Sequence, residues 1–124
     1  WEVGASGLNI VLSPGVPHCT REMLPGPLKD FLAQHKLKLG EIRHWVSHPG
    51  GPKVIDALEE GLVLPAGTLN RTRQSLAAIG NLSSTSVLII LEEWLRDGIA
   101  KPGDWGMMLS MGPGFCAEAA LLRW

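Results

Sequence analysis

The stretch best equipped for chemistry is His48-Pro49-Gly50-Gly51-Pro52, set directly behind the apolar run Ile42-Arg43-His44-Trp45-Val46. A neutral imidazole offers one N–H and one lone pair, so His48 can serve as a general acid or base, or as a donor to a developing negative charge. Pro49 removes a backbone donor and biases Ser47-His48 toward extended geometry, while Gly50 and Gly51 permit positive φ and close approach of a ligand. The carboxyl end of a strand leading into a helix is where open α/β sheets bind ligands. A turn histidine bonded to backbone is the plainer alternative, and spacing alone leaves both open. Asn81 opens the segment that leads into the apolar run from Val87. It reads either as a helix N-cap or as an amide N–H aimed into the pocket of His48. Gly50-Gly51-Pro52-Lys53 would let backbone amides and a cation meet a phosphate at the next helix's N-terminus, but it has neither Walker nor GxGxxG spacing.

Other reactive residue types carry weaker signals. Ser47, Ser83 and Ser84 stand beside the candidate site without a Gly-x-Ser-x-Gly elbow, and read as pocket lining or capping. His18, His35 and His44 lack metal-ligand spacing with Cys, Asp or Glu, so no metal site is expected. Cys19 and Cys116 have no neighbouring base and read as small packing residues.

These residues must be held by a modest scaffold. With 124 residues and 45% hydrophobic content, the chain can build one core. A net charge of −1 offers no basic field for nucleic acid or anionic lipid. Val87 to Leu91 is the longest unbroken apolar run, far short of a membrane span, and there is no basic-then-apolar leader. The two cysteines fit a reducing, cytoplasmic setting. A start at Trp1 suggests a piece of something larger.

Leu8, Ile10 and Leu12 alternate with Asn9 and Val11 as a short strand. A helical pattern runs from Val16 through Thr20 and Met23 until Pro25 and Pro27 break it, and Leu28, Phe31 and Leu32 resume a second stripe. Ile42–Val46 reads as a buried strand, and Val54, Ile55, Leu58 and Leu62 recur at helical spacing. Leu76 to Ile79 looks like a short helical turn ending at Gly80. Val87 to Leu95, apolar nearly all round, reads as a central, fully covered helix. Trp105–Met111 and Phe115–Trp124 read as strands joined by Gly112-Pro113-Gly114, a link short enough to force an antiparallel pair. The order β-α-α-β-α-α-β-β predicts an α/β fold, a mixed sheet with helices on both faces.

Three ordered motifs then carry a resemblance: Trp45-Val46-Ser47-His48-Pro49-Gly50-Gly51-Pro52, Gly80-Asn81-Leu82-Ser83-Ser84 and Met111-Gly112-Pro113-Gly114-Phe115. Together with the terminal Leu121-Leu122-Arg123-Trp124 they resemble the type III polyketide synthases, the chalcone and stilbene synthase family, in its bacterial form. The related ketoacyl carrier-protein synthase III family shares the histidine and asparagine, but follows the histidine with Gln-Ala-Asn where this chain has Pro-Gly-Gly.

The resemblance implies a thiolase-like fold of two similar halves, with residues 1–124 forming most of the C-terminal half. A cysteine of the absent N-terminal half would take an acyl group from an acyl-CoA, while His48 and Asn81 hold the thioester carbonyl of malonyl-CoA as it loses CO₂. By the same carry-over Asn81 takes the oxyanion role, with capping as a second task. Gly50 and Gly51 would leave room for the pantetheine arm, Lys53 would lie beside coenzyme A, Ser83 would line the pocket, and Gly112, Pro113 and Gly114 would shape cyclisation. Ser110-Met111 replaces the Gly-Phe that the plant pattern places before this loop. No cofactor is implied beyond the coenzyme A thioesters that are substrates, and the whole protein is expected to be a homodimer. This chain alone is expected to be inactive and to self-associate through uncovered apolar surface. The alternatives are a synthase III-like condensing enzyme using an acyl carrier protein, and a catalytically silent interaction module.

Overall fold

The computed structural model describes residues 2–5, 7–9, 13–112 and 114–124. Two short strands, β1 (Glu2–Gly4) and β2 (Gly7–Asn9), pair antiparallel apart from the main sheet. Helices α1 (Val16–Met23) and α2 (Pro25–Gln34) follow, then a 3₁₀ turn at Leu39–Glu41 and strand β3 (Ile42–Ser47). Helices α3 (Pro52–Gly61), α4 (Asn70–Ile79) and α5 (Ser84–Asp97) lead to strands β4 (Trp105–Gly112) and β5 (Cys116–Arg123).

The main sheet has the order β3-β4-β5, with β3 parallel and β5 antiparallel to β4. Its side chains alternate between two layers. Trp45, Met107 and Leu109 pack with Leu28 and Leu32 of α2 and with Ile55 and Leu58 of α3, while Val46 packs with Val87 and Ile90 of α5, against which Met108 and Leu122 also lie. Ile42 and Trp45 share a layer although strict alternation would oppose them. The register explains this: Ile42 pairs with Trp105 and His44 with Gly106, so β3 spends an extra residue at Arg43. Such a bulge turns the following side chains over. It puts His44 on the α5 side with Val46.

The outer edge of β3 is closed by side chains. Trp94 of α5 donates its indole N–H to the Trp45 carbonyl at 3.1 Å, and the fully buried Thr72 of α4 donates its hydroxyl to the Ser47 carbonyl at 3.4 Å. Arg73 ties α4 to Asp56 and Glu59 of α3 at 2.7 and 2.6 Å. Arg71 ties it to Asp97 of α5 at 2.7 Å and lies over the Trp94 ring. No described helix is long and apolar enough to cross a membrane.

The mixed sheet with helices on both faces agrees with the sequence reading, and four of its details change. The first strand is not Leu8–Leu12 alone: β2 covers Gly7–Asn9 and pairs with β1, while residues 10–12 lie outside the described set. Leu76–Ile79 is not an isolated turn but the last part of α4, which makes three helices between β3 and β4 rather than two. α5 is not covered on all sides, since Leu88 and Leu95 are 61% and 62% exposed while Val87 and Ile90 hold it to the sheet. Cys116 is exposed rather than packed, because β5 begins in the turn and forms an outer strand.

Candidate functional site

His48 stands immediately beyond β3. Its N–H donates to the Leu109 carbonyl at 2.8 Å, which continues the parallel pairing by one more bond, and its own carbonyl accepts the Gly50 N–H at 3.0 Å, turning the chain away. The imidazole is 8% exposed and its Nδ1 has no partner among the described residues. Burial lowers the pKa below its ordinary value of 6.5; the Ser83 backbone against the ring favours the charged form but weighs less. Burial thus favours the uncharged ring, the form with one donor and one acceptor.

The two glycines after His48 answer different constraints. A Cβ on Gly50 would sit 3.2 Å from Val54 Cγ1 and 3.6 Å from His48 Cδ2, so close approach is its constraint. Gly51 has φ +138° and serves as the N-cap of α3, a conformation L side chains rarely adopt. Pro52 then begins α3, where its missing N–H costs nothing. Lys53 follows on the exposed side of the first turn.

Asn81 lies in the loop between Gly80 (φ +76°) and α5, and is exposed. Its Oδ1 accepts the Ser83 N–H at 2.9 Å. This is a loop bond rather than helix capping: the N-cap of α5 is Ser83, so the reading of Asn81 as N-cap is corrected. The bond matters chemically because it occupies the amide oxygen and leaves the NH₂ as the free end of the side chain. Ser83 itself has φ +58° and ψ −138°, a rare conformation for a residue with a side chain and one that costs about 1–3 kcal/mol. The surrounding bonds have to impose it. Strain of this kind gathers at functional sites.

Ser83 also lines a cleft of about 170 Å³ with Ser110, Met111, Gly112, Cys116 and Glu118. The structure thus joins three segments far apart in sequence: His48 to Ser83 through the Ser83 backbone, and Ser83 to Gly112 across this cleft. Gly114 sits in the exposed β4–β5 turn with φ +76°, and Pro113 lies outside the described residues. Gly50, Gly51 and Lys53 cluster at the start of α3 and do not line the cleft. A second cleft of about 270 Å³, between α2 and the β4–β5 face, is lined by Leu24, Phe31 and Ala119 among others and contains none of these residues. Among the described residues no group of three or more His, Cys, Asp or Glu side chains is placed to hold a metal ion.

Three contributors escaped the sequence reading. Cys116 forms part of the cleft wall. The fully buried Thr20 of α1 brings its hydroxyl to 4.0 Å from the Met111 sulfur, behind that wall. Ser86, also fully buried, accepts the Leu82 N–H at 2.8 Å and anchors the Asn81 loop from within α5. A polar residue at a buried helical position was the available signal for Ser86.

Comparison with known proteins bears on the family and the fold. Residues 2–124 match the family model for chalcone and stilbene synthases, C-terminal domain. The chain is 50% identical over its whole length to a 1,3,6,8-tetrahydroxynaphthalene synthase of Streptomyces peucetius subsp. caesius, of which it covers 33%. It is 34% identical to a 3,5-dihydroxyphenylacetyl-CoA synthase of Streptomyces toyocaensis, covering 32%. The crystal structure of PKS-I from the brown alga Ectocarpus siliculosus superposes on 98% of this chain and 34% of that one, with TM-score 0.88 at 30% identity. The type III polyketide synthase of Streptomyces coelicolor A3(2) that makes 1,3,6,8-tetrahydroxynaphthalene also gives TM-score 0.88, at 28% identity, over 99% of this chain and 35% of that one. The chain thus spans about a third of the length of its relatives. Its fold is thiolase-like, and it belongs to the chalcone and stilbene synthase family, the type III polyketide synthases.

Proposed function

We propose that this chain supplies the anion-stabilising part of a decarboxylative condensing site, with the nucleophilic cysteine contributed by the rest of the protein. One observation carries the reading. The buried His48 ring lies against the Ser83 backbone, and the N–H of the same Ser83 holds the oxygen of Asn81, so that the imidazole and the Asn81 amide meet at one residue.

The chemistry follows from those donors. In malonyl-CoA the bond between the methylene carbon and the carboxylate breaks, CO₂ leaves, and the electron pair moves into the thioester as an enolate. The His48 N–H and the Asn81 NH₂ would hold the oxygen on which that charge develops. Donors already in place need no reorganisation, and losing one such donor typically costs about 10²–10³ in rate. The enolate carbon then attacks the acyl thioester on the cysteine. A carbon–carbon bond forms, the carbon–sulfur bond breaks, and the thiolate departs with its electron pair. A neutral His48 beside that sulfur would accept its proton and favour the thiolate.

Gly50 and Gly51 would admit the pantetheine arm, Lys53 would meet coenzyme A, and the cleft of Ser83, Met111 and Gly112 would receive the growing chain ahead of cyclisation at Gly112-Pro113-Gly114. Coenzyme A thioesters are the substrates, and no other cofactor enters the scheme. The exposed Leu88 and Leu95 of α5 would meet the remainder of the protein, which would work as a cytoplasmic homodimer. The isolated chain would be inactive. The names of the relatives support a polyhydroxylated aromatic product.

The test uses the full-length protein with malonyl-CoA alone, following acetyl-CoA formation by mass. Unmodified protein should decarboxylate it, and His48→Gln and Asn81→Ala should each lose the activity by at least 100-fold. Substitutions that leave the rate intact would exclude this reading and favour the silent interaction module.

A further inference from the structure

We propose that Ser86 is a positioning residue for Asn81, acting through the Leu82 peptide; the inference rests on the function proposed above. Leu82 and Ser83 are consecutive, and both of their backbone N–H groups are taken by side chains from opposite directions. Ser86 Oγ reaches back from α5 to accept the Leu82 N–H at 2.8 Å, and Asn81 Oδ1 reaches forward to accept the Ser83 N–H at 2.9 Å. Ser86 also donates its own N–H to the Ser83 carbonyl at 3.2 Å. The segment between Asn81 and the helix is therefore pinned at two N–H groups and one carbonyl.

The arrangement differs from ordinary capping. In a capping box the third helical residue reaches back to the N–H of the N-cap, which reciprocates with its own side chain. Here the third residue of α5 reaches one position further, past the N-cap Ser83, and the Ser83 side chain makes no cap bond. The hydroxyl is thus committed to the loop that carries Asn81 rather than to the helix. Ser86 is fully buried within α5, whereas Asn81 is exposed. Precision in the Asn81 amide must come through its backbone. Ser86 reaches that backbone from the core at the Leu82 N–H, the residue next to Asn81.

Displacing a donor by a fraction of an ångström matters most when the charge has developed, so the effect should fall on kcat rather than on binding. In the full-length protein with malonyl-CoA, Ser86→Ala should lower kcat for decarboxylation about tenfold, with KM and thermal midpoint near those of the parent. Ser86→Thr, which keeps the hydroxyl, should recover at least half of the lost rate. In an Asn81→Ala background the Ser86→Ala change should have no further effect on the residual rate, because its only route to the reaction has gone. Ser86→Cys, isosteric with a weaker acceptor, supplies the same cycle should Ser86→Ala fail to fold. A Ser86→Ala rate within twofold of the parent overturns the inference, as does a tenfold loss that persists without Asn81. A protein indifferent to Asn81→Ala itself overturns the proposed function and this inference together. Strong dependence on Asn81 with none on Ser86 overturns the inference alone.

Discussion

His44 near the start of β3 and His48 immediately beyond its end have opposite surroundings. His44 and His48 are 6% and 8% exposed, and each leaves Nδ1 unpaired among the described residues, so burial does not separate them. His44 Nε2 lies 2.9 Å from the Asp104 carboxylate, and its ring is flanked by Trp94 and Trp124 at centroid distances of 4.7 and 5.0 Å. Among the described residues His48 has no such carboxylate or aromatic partner. A Cβ at Gly50 would come to 3.6 Å from His48 Cδ2, so glycine there leaves room beside the ring, and the Ser83 backbone stands against it. One residue type thus serves as a structural clamp near the start of β3 and a chemical group just beyond its end. What packs on the ring decides which.

The largest expected effect exchanges the two roles. In the full-length protein His48→Gln should lower malonyl-CoA decarboxylation at least 100-fold, about 3 kcal/mol of barrier, while the thermal midpoint moves little. His44→Ala should do the reverse. It empties a site between two tryptophans and should cost about 2–4 kcal/mol of stability in denaturant titration. An equal loss of stability in both variants would break the contrast between the two ends. Gly106→Ala tests the clamp from its other side. An added Cβ there runs into the Trp124 ring and comes to 3.1 Å from the His44 carbonyl, so overpacking should cost about 1–3 kcal/mol.

The two ends also differ in how much of them can be read from the sequence. His48 announces itself because its signal is local: Pro49, Gly50 and Gly51 are adjacent to it in sequence. The His44 clamp is assembled from Asp104 and two distant tryptophans, and no short window contains it. The same limit explains α4. Its buried face includes Thr72 and Ser75, and Arg71 and Arg73 are held in ion pairs, so hydrophobic periodicity sees little beyond Leu69 and Leu76. Asn81 failed as an N-cap for another reason. Ser83 takes positive φ and starts the helix later than residue type suggests. For α5 the apolar pattern predicts cover on all sides, and the described residues supply it on one side only.

A smaller effect separates the ends by pH. Asp104 is held below the ordinary carboxyl value of 3.8, chiefly by its hydrogen bond with His44, then by the Lys101 N–H, with the charges of Arg43 and His44 adding and burial opposing. A depressed carboxyl pKa gives stability that is present above the unfolded value and is lost as pH falls through the folded one. The His48 pKa is also lowered, from 6.5, chiefly by burial. The unfolded chain then takes up that proton first, so stability declines as pH drops below the unfolded value. Thermal midpoints should therefore fall in two windows, one beginning near pH 6.5 and one below about pH 4. His48→Gln should flatten the first window and Asp104→Asn the second. Loss of both windows in one variant would mean that the two ends titrate as a unit.

The smallest effect asks how far the chemical end reaches. Lys53 is exposed on the first turn of α3 and forms no ion pair among the described residues, so the fold gains little from its charge. Lys53→Ala should change stability by no more than about 0.5 kcal/mol. If its ammonium meets a phosphate of coenzyme A, the same change should raise KM for malonyl-CoA several-fold and leave kcat alone, since that contact is the same before and during reaction. The difference between parent and variant should shrink as salt is added, because an exposed charge is screened over about 10 Å at 0.1 M ionic strength. A fall in kcat at constant KM would instead place Lys53 within the reacting region, extending the open end of β3 beyond Gly51 into the helix. An unchanged KM at low salt would end that region at the glycines.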